Sequence, residues 1–313
     1  MERLRPARSL SSCSRVLQIS KSKGPGFPDP EGSPKFDMKL FITDIDDTLS
    51  VGETVADEVR GACSHLRDAG WEIMVATGRT YSTARGHMEA IGVTRPSILY
   101  NGGRIVDPGG RPLYSRLMEE NLANRILEYV WTLPLELQVS GDERISCRET
   151  DAQTRSFFAD VGPIRLLTEP VVTEPVFRVC LWMDSRLMPK VEEDLRGRFG
   201  CEAEICPGGP QFMDIQPLGV SKGSALDRLL AELPARPEVI VAAGDHCNDR
   251  ELLRRADIAA SPSNAHEALL READLIIPPV SEHGIRTLID HILSPAFSAA
   301  PFPHATTRPG HRL

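Results

Sequence analysis

An apolar run at residues 39–42 ends abruptly at two aspartates, Asp44 and Asp46. A short apolar run bounded by polar residues is typical of a strand buried on both faces, as in a parallel sheet. Because side chains alternate along a strand, the two carboxylates would project from the same side where the strand ends. In open α/β sheets, ligands bind at the carboxyl ends of the strands. The segment therefore favours an α/β fold with an acidic site beside its first strand.

The two carboxylates are open to two interpretations. Neighbouring carboxylates repel each other, so the pKa of one rises unless a cation lies between them. Such a pair suits chemistry in which one group is a nucleophile or metal ligand and the other carries a proton. Acidic residues after a strand also commonly cap the following helix or form a solvated turn. Residues elsewhere in the chain must decide between these two interpretations.

The composition limits the class of protein. The 313 residues are 41% hydrophobic and 26% charged, which is typical of a soluble protein with one large domain or two smaller ones. The net charge of -8 argues against a nucleic-acid-binding surface. No apolar stretch approaches the length of a membrane span, so we expect no membrane partner. The expected partner is a small molecule.

The cysteines indicate a reducing compartment. The 7 cysteines are scattered and form no C-x-x-C pair, which argues against a disulfide framework or a zinc site. Cys201 and Cys206 could pair or bind a metal, but buried free thiols in a reducing cytoplasm explain them better. We therefore expect a cytoplasmic protein.

Both ends of the chain differ from the region between them. Residues 1–37 mix Arg, Ser, Pro and Gly and lack the apolar segment of a secretory signal. An Arg- and Ser-rich start resembles a transit peptide, and organelle targeting stays open. Met38 directly precedes the first predicted strand, which favours a start of translation there or a disordered extension over 1–37. Residues 294–313, rich in Pro and Ala, are predicted to be a disordered tail.

Strands and helices alternate from residue 39 onward. Predicted strands cover residues 39–45, 72–76 and 97–100, and the helices between them end at Gly70 and Gly92. Strands that alternate with helices imply a parallel, doubly wound sheet. This first part of the core spans residues 38–116.

The pattern changes after residue 116 and returns near residue 217. Two predicted hairpins with intervening helices indicate an α+β module at residues 117–216, inserted into the first domain. The second part of the core, at residues 217–293, contains a predicted strand at 238–243. Its predicted helices cover residues 222–233, 250–256, 265–273 and 284–293.

Polar clusters directly follow the predicted core strands, and one lysine opens a predicted helix. They are Asp44 with Asp46, Thr77, Lys222, and Asp245 with Asn248 and Asp249. A parallel sheet would bring the strand-end clusters to one edge although they are far apart in sequence. Carboxylates at two strand ends make an all-oxygen site suited to Mg²⁺. A hydroxyl and a compact cation, from Thr77 and Lys222, suit a phosphoryl group.

The use of lysine supports a role for Lys222. After Lys39, only Lys190 and Lys222 occur, because the other basic positions are Arg. Genome composition explains the general bias, and Lys222 could be a surface residue. It lies, however, where a point charge on phosphate would be needed.

These residues resemble the motifs of the haloacid-dehalogenase superfamily of phosphotransferases. Four ordered motifs carry the resemblance, at residues 44–49, 76–79, 219–223 and 244–249. The inserted module and the segments 101–103, 263–265 and 282–284 are similar to the Cof-type branch, subclass IIB, which includes sucrose-phosphate phosphatases. Asp47 departs from the pattern, since many members of this branch carry Gly there.

The resemblance implies a Rossmann-like α/β core with an inserted α+β cap, and it assigns roles to the acidic residues. Asp44 would attack phosphorus and form an aspartyl-phosphate. Asp46 would protonate the leaving alkoxide and then deprotonate the hydrolytic water. Mg²⁺ would be held by the Asp44 carboxylate, the backbone carbonyl of Asp46 and Asp245.

The remaining motif residues receive supporting roles by the same resemblance. Thr77 and Lys222 would bind the phosphate, while Asn248 and Asp249 would orient Lys222 or complete the outer shell of the metal. Three further residues are expected to bind the substrate, namely Gly78, Arg79 and Asn101. Arg79 could equally cap local carbonyls. The cap hairpins should supply specificity.

Three functions remain at this point. The leading hypothesis is a Mg²⁺-dependent phosphatase acting on a small phosphorylated metabolite, most simply a sugar phosphate. A phosphomutase on the same scaffold is the second, and a non-catalytic metabolite-binding protein is the third. The intact set of acids and Lys222 argues against the third. Neither the substrate nor the oligomeric state follows from the sequence.

Overall fold

The computed structural model describes residues 38–157, 164–209, 211–295, 297 and 311–312. The predicted extension over residues 1–37 lies outside this range, as does most of the predicted tail. Within the described part, no helix is both long enough and apolar enough to cross a membrane.

The core is a parallel sheet, as the alternation of strands and helices predicts. The first strand, β1, pairs in parallel with β2 on one side and β12 on the other, and the strand order is β15-β14-β13-β12-β1-β2. The strands are β1 Lys39–Thr43, β2 Trp71–Val75, β12 Val239–Ala243, β13 Ile258–Pro262, β14 Leu275–Ile277 and the two-residue β15 His311–Arg312.

Helices cover both faces of this sheet. One face packs Phe41, Ile73 and Val241 beneath α1, α2 and α9, and the other packs Leu40 and Ile42 beneath α6, α7 and α8. The helices are α1 Asp57–Asp68, α2 Tyr81–Ile91, α6 Lys222–Ala231, α7 Arg250–Leu253, α8 Glu267–Glu272 and α9 Gly284–Ile292. Burial on both faces explains why the strands are continuous apolar runs. The doubly wound α/β core is confirmed.

The third predicted strand differs from the expectation. Residues Ser97–Leu99 form β3, which touches the core sheet through a single bridge between Ile98 and Ala76. It pairs antiparallel with β4 Arg104–Val106, which in turn pairs with β5 Pro112–Ser115. Positive φ angles at Asn101 and Gly102 reverse the chain after β3, so the next segment returns beside it.

The inserted cap is a six-stranded sheet of order β10-β11-β9-β6-β7-β8, with antiparallel pairs except for β7 and β8. Both predicted hairpins are present. The elements are α3 Glu120–Val130, β6 Glu136–Ser140, β7 Ile145–Arg148, α4 Ala152–Phe157, β8 Ile164–Leu167, β9 Arg178–Trp182, α5 Met188–Phe199, β10 Ala203–Pro207 and β11 Phe212–Pro217. The α+β cap inserted into an α/β core is therefore confirmed.

The two faces of the cap sheet have different chemistry. Along β11, Met213 and Ile215 point into the apolar core of the cap. Because side chains alternate along a strand, Asp214 and Gln216 lie on the opposite face. This second face contacts the core loops that follow β2 and β3.

Candidate active site

The site is built around Lys222, which is fully buried at the start of α6. Its Nζ atom lies 2.9 Å from Asp44 Oδ1 and 2.6 Å from Asp249 Oδ1. Asp44 directly follows β1, and its backbone N–H donates to the carbonyl of Ala243 at the end of β12. The two neighbouring strand ends and the helix start thus bring together residues from three predicted motifs.

The start of α6 is itself fixed by local hydrogen bonds. Ser221 is the N-cap, and its side chain accepts from the Ser224 N–H while the Ser224 hydroxyl accepts from the Ser221 N–H. Such a reciprocal cap satisfies two helix donors that would otherwise be unpaired. It also sets the position from which Lys222 reaches the carboxylates.

Burial and charge oppose each other at Lys222. Burial alone would lower its pKa, but the carboxylates of Asp249 and Asp44 raise it above the ordinary value. Both oxygens of Asp249 are engaged, because Oδ2 accepts from the backbone N–H groups of Asp245 and His246 at 3.1 Å. The carboxylates therefore hold Lys222 as a cation. The proposed role of Asp249 in orienting Lys222 needs this charge.

Three carboxylates form a cluster with the spacing of a cation site. Oxygen atoms of Asp44, Asp245 and Asp249 lie within 4.8 Å of one another. Burial raises the pKa of Asp44, and the charge of Asp249 raises it further against the effect of Lys222. Burial, followed by the charge of Asp249, raises the pKa of Asp245 to about 7. With all three carboxylates ionised, the cluster would carry more negative charge than Lys222 compensates, and a bound cation would offset the excess.

The donor set fits a hard divalent cation. Thr48 Oγ1 donates to Asp245 Oδ1 at 3.0 Å, and Ile45 N–H donates to Asp44 Oδ1. Within the described residues, no protein group donates to the second oxygen of either Asp44 or Asp245. These two carboxylates would hold the ion, since Asp249 is occupied by Lys222 and backbone amides. The Asp46 carboxylate lies outside the cluster. The atom of Asp46 that is predicted to bind the metal is its backbone carbonyl oxygen.

Thr77 and Gly78 form the loop after β2. Thr77 is fully buried, and its hydroxyl accepts from the Arg79 N–H at 3.2 Å. A Cβ atom on Gly78 would lie 3.0 Å from Asn101 Oδ1 and 3.1 Å from a guanidinium nitrogen of Arg178. The glycine therefore allows core and cap side chains to approach this loop closely.

Asp46 and Arg79 form an ion pair at the exposed side of the site. Arg79 lies 2.8 Å from Asp46 Oδ1 and 3.0 Å from Glu53. Arg79 also donates to the carbonyl of Thr83, so it does bind a local carbonyl. Burial alone would lower its pKa, but the hydrogen bond to Asp46 raises it. Its predicted contact with the substrate stays a prediction.

Asn101 links the core to the cap. Its Nδ2 donates to Asp214 Oδ2 at 2.7 Å, and its Oδ1 accepts from Asn248 Nδ2 at 3.1 Å. Asn248 thus contacts Asn101 rather than Lys222. At Gly102, where φ is 105°, a Cβ atom would lie 2.2 Å from the Ser221 carbonyl oxygen, so any side chain there would clash with the start of α6.

Sequence reasoning gave no role to Thr48, Asp214 or Arg178. Thr48 lies in the first motif, four residues after Asp44, and its hydroxyl could have been flagged as a partner for a carboxylate. The signal for Asp214 is the alternation of polar and apolar residues along residues 212–216. For Arg178, an arginine within a predicted cap strand was the only signal.

Comparison with known proteins identifies a family. The model of the haloacid dehalogenase-like hydrolases matches residues 41–289. A "HMP-PP phosphatase" of Yersinia pestis is 26% identical over 278 residues, which cover 87% of this chain and 98% of that protein.

Solved structures share the fold. A haloacid dehalogenase-like hydrolase from Bacteroides thetaiotaomicron superimposes with a TM-score of 0.71 at 22% identity, covering 82% of this chain and 100% of its own. A sugar phosphatase of haloacid dehalogenase subclass IIB gives a TM-score of 0.70 at 20% identity, covering 81% and 98% of the two chains.

Proposed function

Because the chain belongs to the haloacid dehalogenase-like hydrolases, we propose that it is a phosphatase of subclass IIB, which hydrolyses the phosphate ester of a small metabolite through a phosphorylated Asp44. The observation that carries this proposal is the fully buried Lys222, held between Asp44 and Asp249 beside the acidic cluster. A buried cation that two carboxylates hold in place is suited to bind a phosphate group, which enters with the substrate and leaves after hydrolysis.

Asp44 is the proposed nucleophile. Its carboxylate attacks phosphorus, the bond from phosphorus to the leaving oxygen breaks, and water later hydrolyses the aspartyl-phosphate. Lys222 neutralises charge on the transferring oxygens without reorganising, because Asp249 already fixes its position. Thr77, at the end of the neighbouring strand, offers its hydroxyl to the same group.

Asp46 is the proposed proton carrier. It donates a proton to the leaving oxygen and then accepts one from the water that attacks the intermediate. Arg79 holds the Asp46 side chain through its ion pair. Asp46 is exposed, which suits a group that exchanges protons with water and with the leaving group.

The proposed metal is Mg²⁺, held by Asp44, Asp245 and the Asp46 backbone carbonyl. When bound, such an ion offsets the repulsion between an anionic nucleophile and an anionic phosphate. The unpartnered oxygens of Asp44 and Asp245 support this assignment.

The proposed substrate is a phosphorylated small metabolite, with a sugar phosphate as the first choice. The relatives named above differ here, since one is a "HMP-PP phosphatase" and another a sugar phosphatase. Action in the cytoplasm belongs to the same proposal. It is supported by the buried thiols of Cys63 and Cys147, which form no disulfide.

The test replaces the nucleophile. Asp44→Asn keeps the size of the side chain but removes the attacking carboxylate, so hydrolysis of phenyl phosphate with Mg²⁺ should fall about a thousandfold or more. Asp290→Asn, at an exposed position on α9, is the matched control and should keep wild-type activity. Inorganic phosphate release is the readout, and a parallel assay for isomerisation of a hexose phosphate distinguishes a phosphatase from a mutase. Substantial activity in Asp44→Asn would contradict the nucleophile assignment.

A further inference from the structure

A cavity of about 380 Å³ lies at the end of the core sheet away from the acidic cluster. Leu40, near the start of β1, lines it, whereas Asp44 follows the other end of that strand. Their separation along the chain corresponds to about 13 Å in a strand. The second half of α6 forms one wall through Leu229 and Leu230, while Lys222 begins the same helix. The cavity is therefore separate from the site of the proposed reaction.

The inside of this cavity is apolar. Its floor consists of core side chains that are at most 3% exposed, namely Leu40, Met74 and Leu226. The exposed side chain of Leu113, on the edge strand β5, marks its mouth. The volume is within the range of about 300–1,000 Å³ typical of small-molecule sites, which are mostly apolar with a few polar groups. A short hydrocarbon or aryl group therefore suits the interior.

Two arginines, Arg95 and Arg228, give the lining its positive charge. Neither side chain forms an ion pair or a hydrogen bond with any residue that the structure describes. Glu232 is the single acid among the described lining residues, so two positive charges stand against one negative charge. The lining thus has an excess of positive charge that no carboxylate of the described chain compensates.

The guanidinium of Arg228 is held in place with its donors unoccupied. Its central carbon lies over the ring of Tyr114, 4.1 Å from the ring centroid. Contact with an aromatic face positions the cation but leaves its N–H groups available, since a ring offers no lone pair. Arginine N–H groups bind carboxylate and phosphate oxygens in pairs. Arg228 is therefore suited to hold an oxyanion beside the apolar interior.

We propose that this cavity binds a small amphipathic anion, with its hydrocarbon part inside and its carboxylate or phosphate-type head on Arg95 and Arg228. A neutral ligand of the same shape would leave both cations without a counter-ion, and a cationic ligand would be repelled. The ligand is a separate molecule from the substrate. This second site does not depend on the proposed phosphatase reaction.

Titration calorimetry of the full chain with octanoate tests the site. Octanoate should bind saturably, with one molecule per chain. Octanol, which has the same carbon chain without the charge, should bind about tenfold more weakly, and octylamine more weakly still. Octylphosphonate distinguishes the two head groups, because it has no phosphate ester to hydrolyse. Tighter binding of octylphosphonate than of octanoate would support a phosphate-type head, and the reverse order a carboxylate.

Substitutions at the lining test the role of charge. Arg228→Ala should lower the preference for octanoate over octanol about tenfold. Arg116→Ala, at an exposed arginine outside the lining, is the matched control and should keep the wild-type preference. Leu113→Glu places a negative charge at the mouth and should weaken octanoate binding more than Leu113→Gln, which is similar in size but uncharged.

Several results would overturn the proposal. Equal affinities for octanoate, octanol and octylamine would exclude recognition of an anion, and this wild-type series is informative even if a variant folds poorly. An unchanged preference in a folded Arg228→Ala protein would exclude its role as the anion ligand. No saturable binding of octanoate or octylphosphonate to the full chain would overturn the site itself. In sedimentation velocity, a dimer that octanoate dissociates would assign the cavity to a second copy of the chain instead.

Discussion

At Gly244 the backbone passes close to Asp249, one partner of the buried ion pair with Lys222. A Cβ atom at this position would lie 2.5 Å from both Cβ and Cγ of Asp249, whose carboxylate orients Lys222. Asp249 is fully buried and bonded through both oxygens, so it has no free space to move into. The glycine of the fourth motif is thus required by packing against the carboxylate that contacts Lys222.

Gly244→Ala should therefore damage both folding and activity. Overpacking a buried site costs about 1–3 kcal/mol, and displacement of Asp249 should also lower kcat. Urea denaturation gives the first quantity and phenyl phosphate hydrolysis the second. Gly86→Ala is the matched control, because its Cβ would meet nothing within 4 Å inside α2. It should stabilise the protein by about 0.5–1 kcal/mol. Equal effects of the two substitutions would refute the packing argument.

Asp47 shows that a motif position can be explained by its backbone alone. Its φ of 55° is left-handed, a region that favours glycine. Aspartate is among the few other residues that adopt it readily. The departure from the common Gly is therefore compatible with the same loop conformation.

At the scale of secondary structure elements, a turn of the cap fixes the start of a core helix. Glu143, between β6 and β7, accepts from the backbone N–H groups of Tyr81 and Ser82 at 3.1 and 2.9 Å. The backbone N–H of Glu143 donates to the Tyr100 hydroxyl. The cap thus supplies a carboxylate to the N-terminus of α2, where the helix dipole favours negative charge.

Removal of this carboxylate should loosen α2 at its start. Glu143→Ala leaves two helix amides without their acceptor, which should cost about 1 kcal/mol. Amide hydrogen exchange at residues 81 and 82 should become faster in this variant. Glu128→Ala, at an exposed position on α3, serves as the control. Unchanged exchange at residues 81 and 82 in Glu143→Ala would show that the cap does not hold this helix.

At the scale of the whole molecule, a buried histidine makes stability depend on pH. His87 of α2 is almost fully buried, and its Nε2 lies 3.1 Å from the carbonyl of Gly52, in the loop after β1. Burial lowers its pKa below the ordinary 6.5, and the charge of Arg79 lowers it further. The unfolded chain therefore binds this proton more readily than the folded protein does.

The sign of the pH effect follows directly. The contribution of His87 to stability is complete above its unfolded pKa and is lost as pH falls through the folded value. The contribution of His87 to the free energy of unfolding should thus decrease between about pH 7.5 and pH 5.5, while protonation of Asp245, whose pKa is about 7, acts in the opposite direction over the same range. His87→Gln should reduce this decrease, while His65→Gln, at an exposed position on α1, should retain it. The same pH dependence in wild type and His87→Gln would assign the effect to other groups.

Much of the fold could be predicted because its signals are local. Both faces of β1 and β12 are buried, so these strands are apolar throughout and stand out in the sequence. The strand at Ile258–Pro262 was missed, because Ala and Ser have little preference for strands and only its buried position makes it one. The orientation of β3 was missed because a left-handed turn after it reverses the chain.

Local sequence patterns are sufficient to predict the α/β core, the inserted cap and the order of the candidate reactive residues, because strand and helix periods follow from local sterics and burial. Which of those residues meet depends on tertiary packing. Asp249 pairs with Lys222 across 27 residues, Asn101 with Asp214 across 113, and Thr48 with Asp245 across 197. Such pairs form only when distant elements pack, since no local interaction records which side chains will share a buried site.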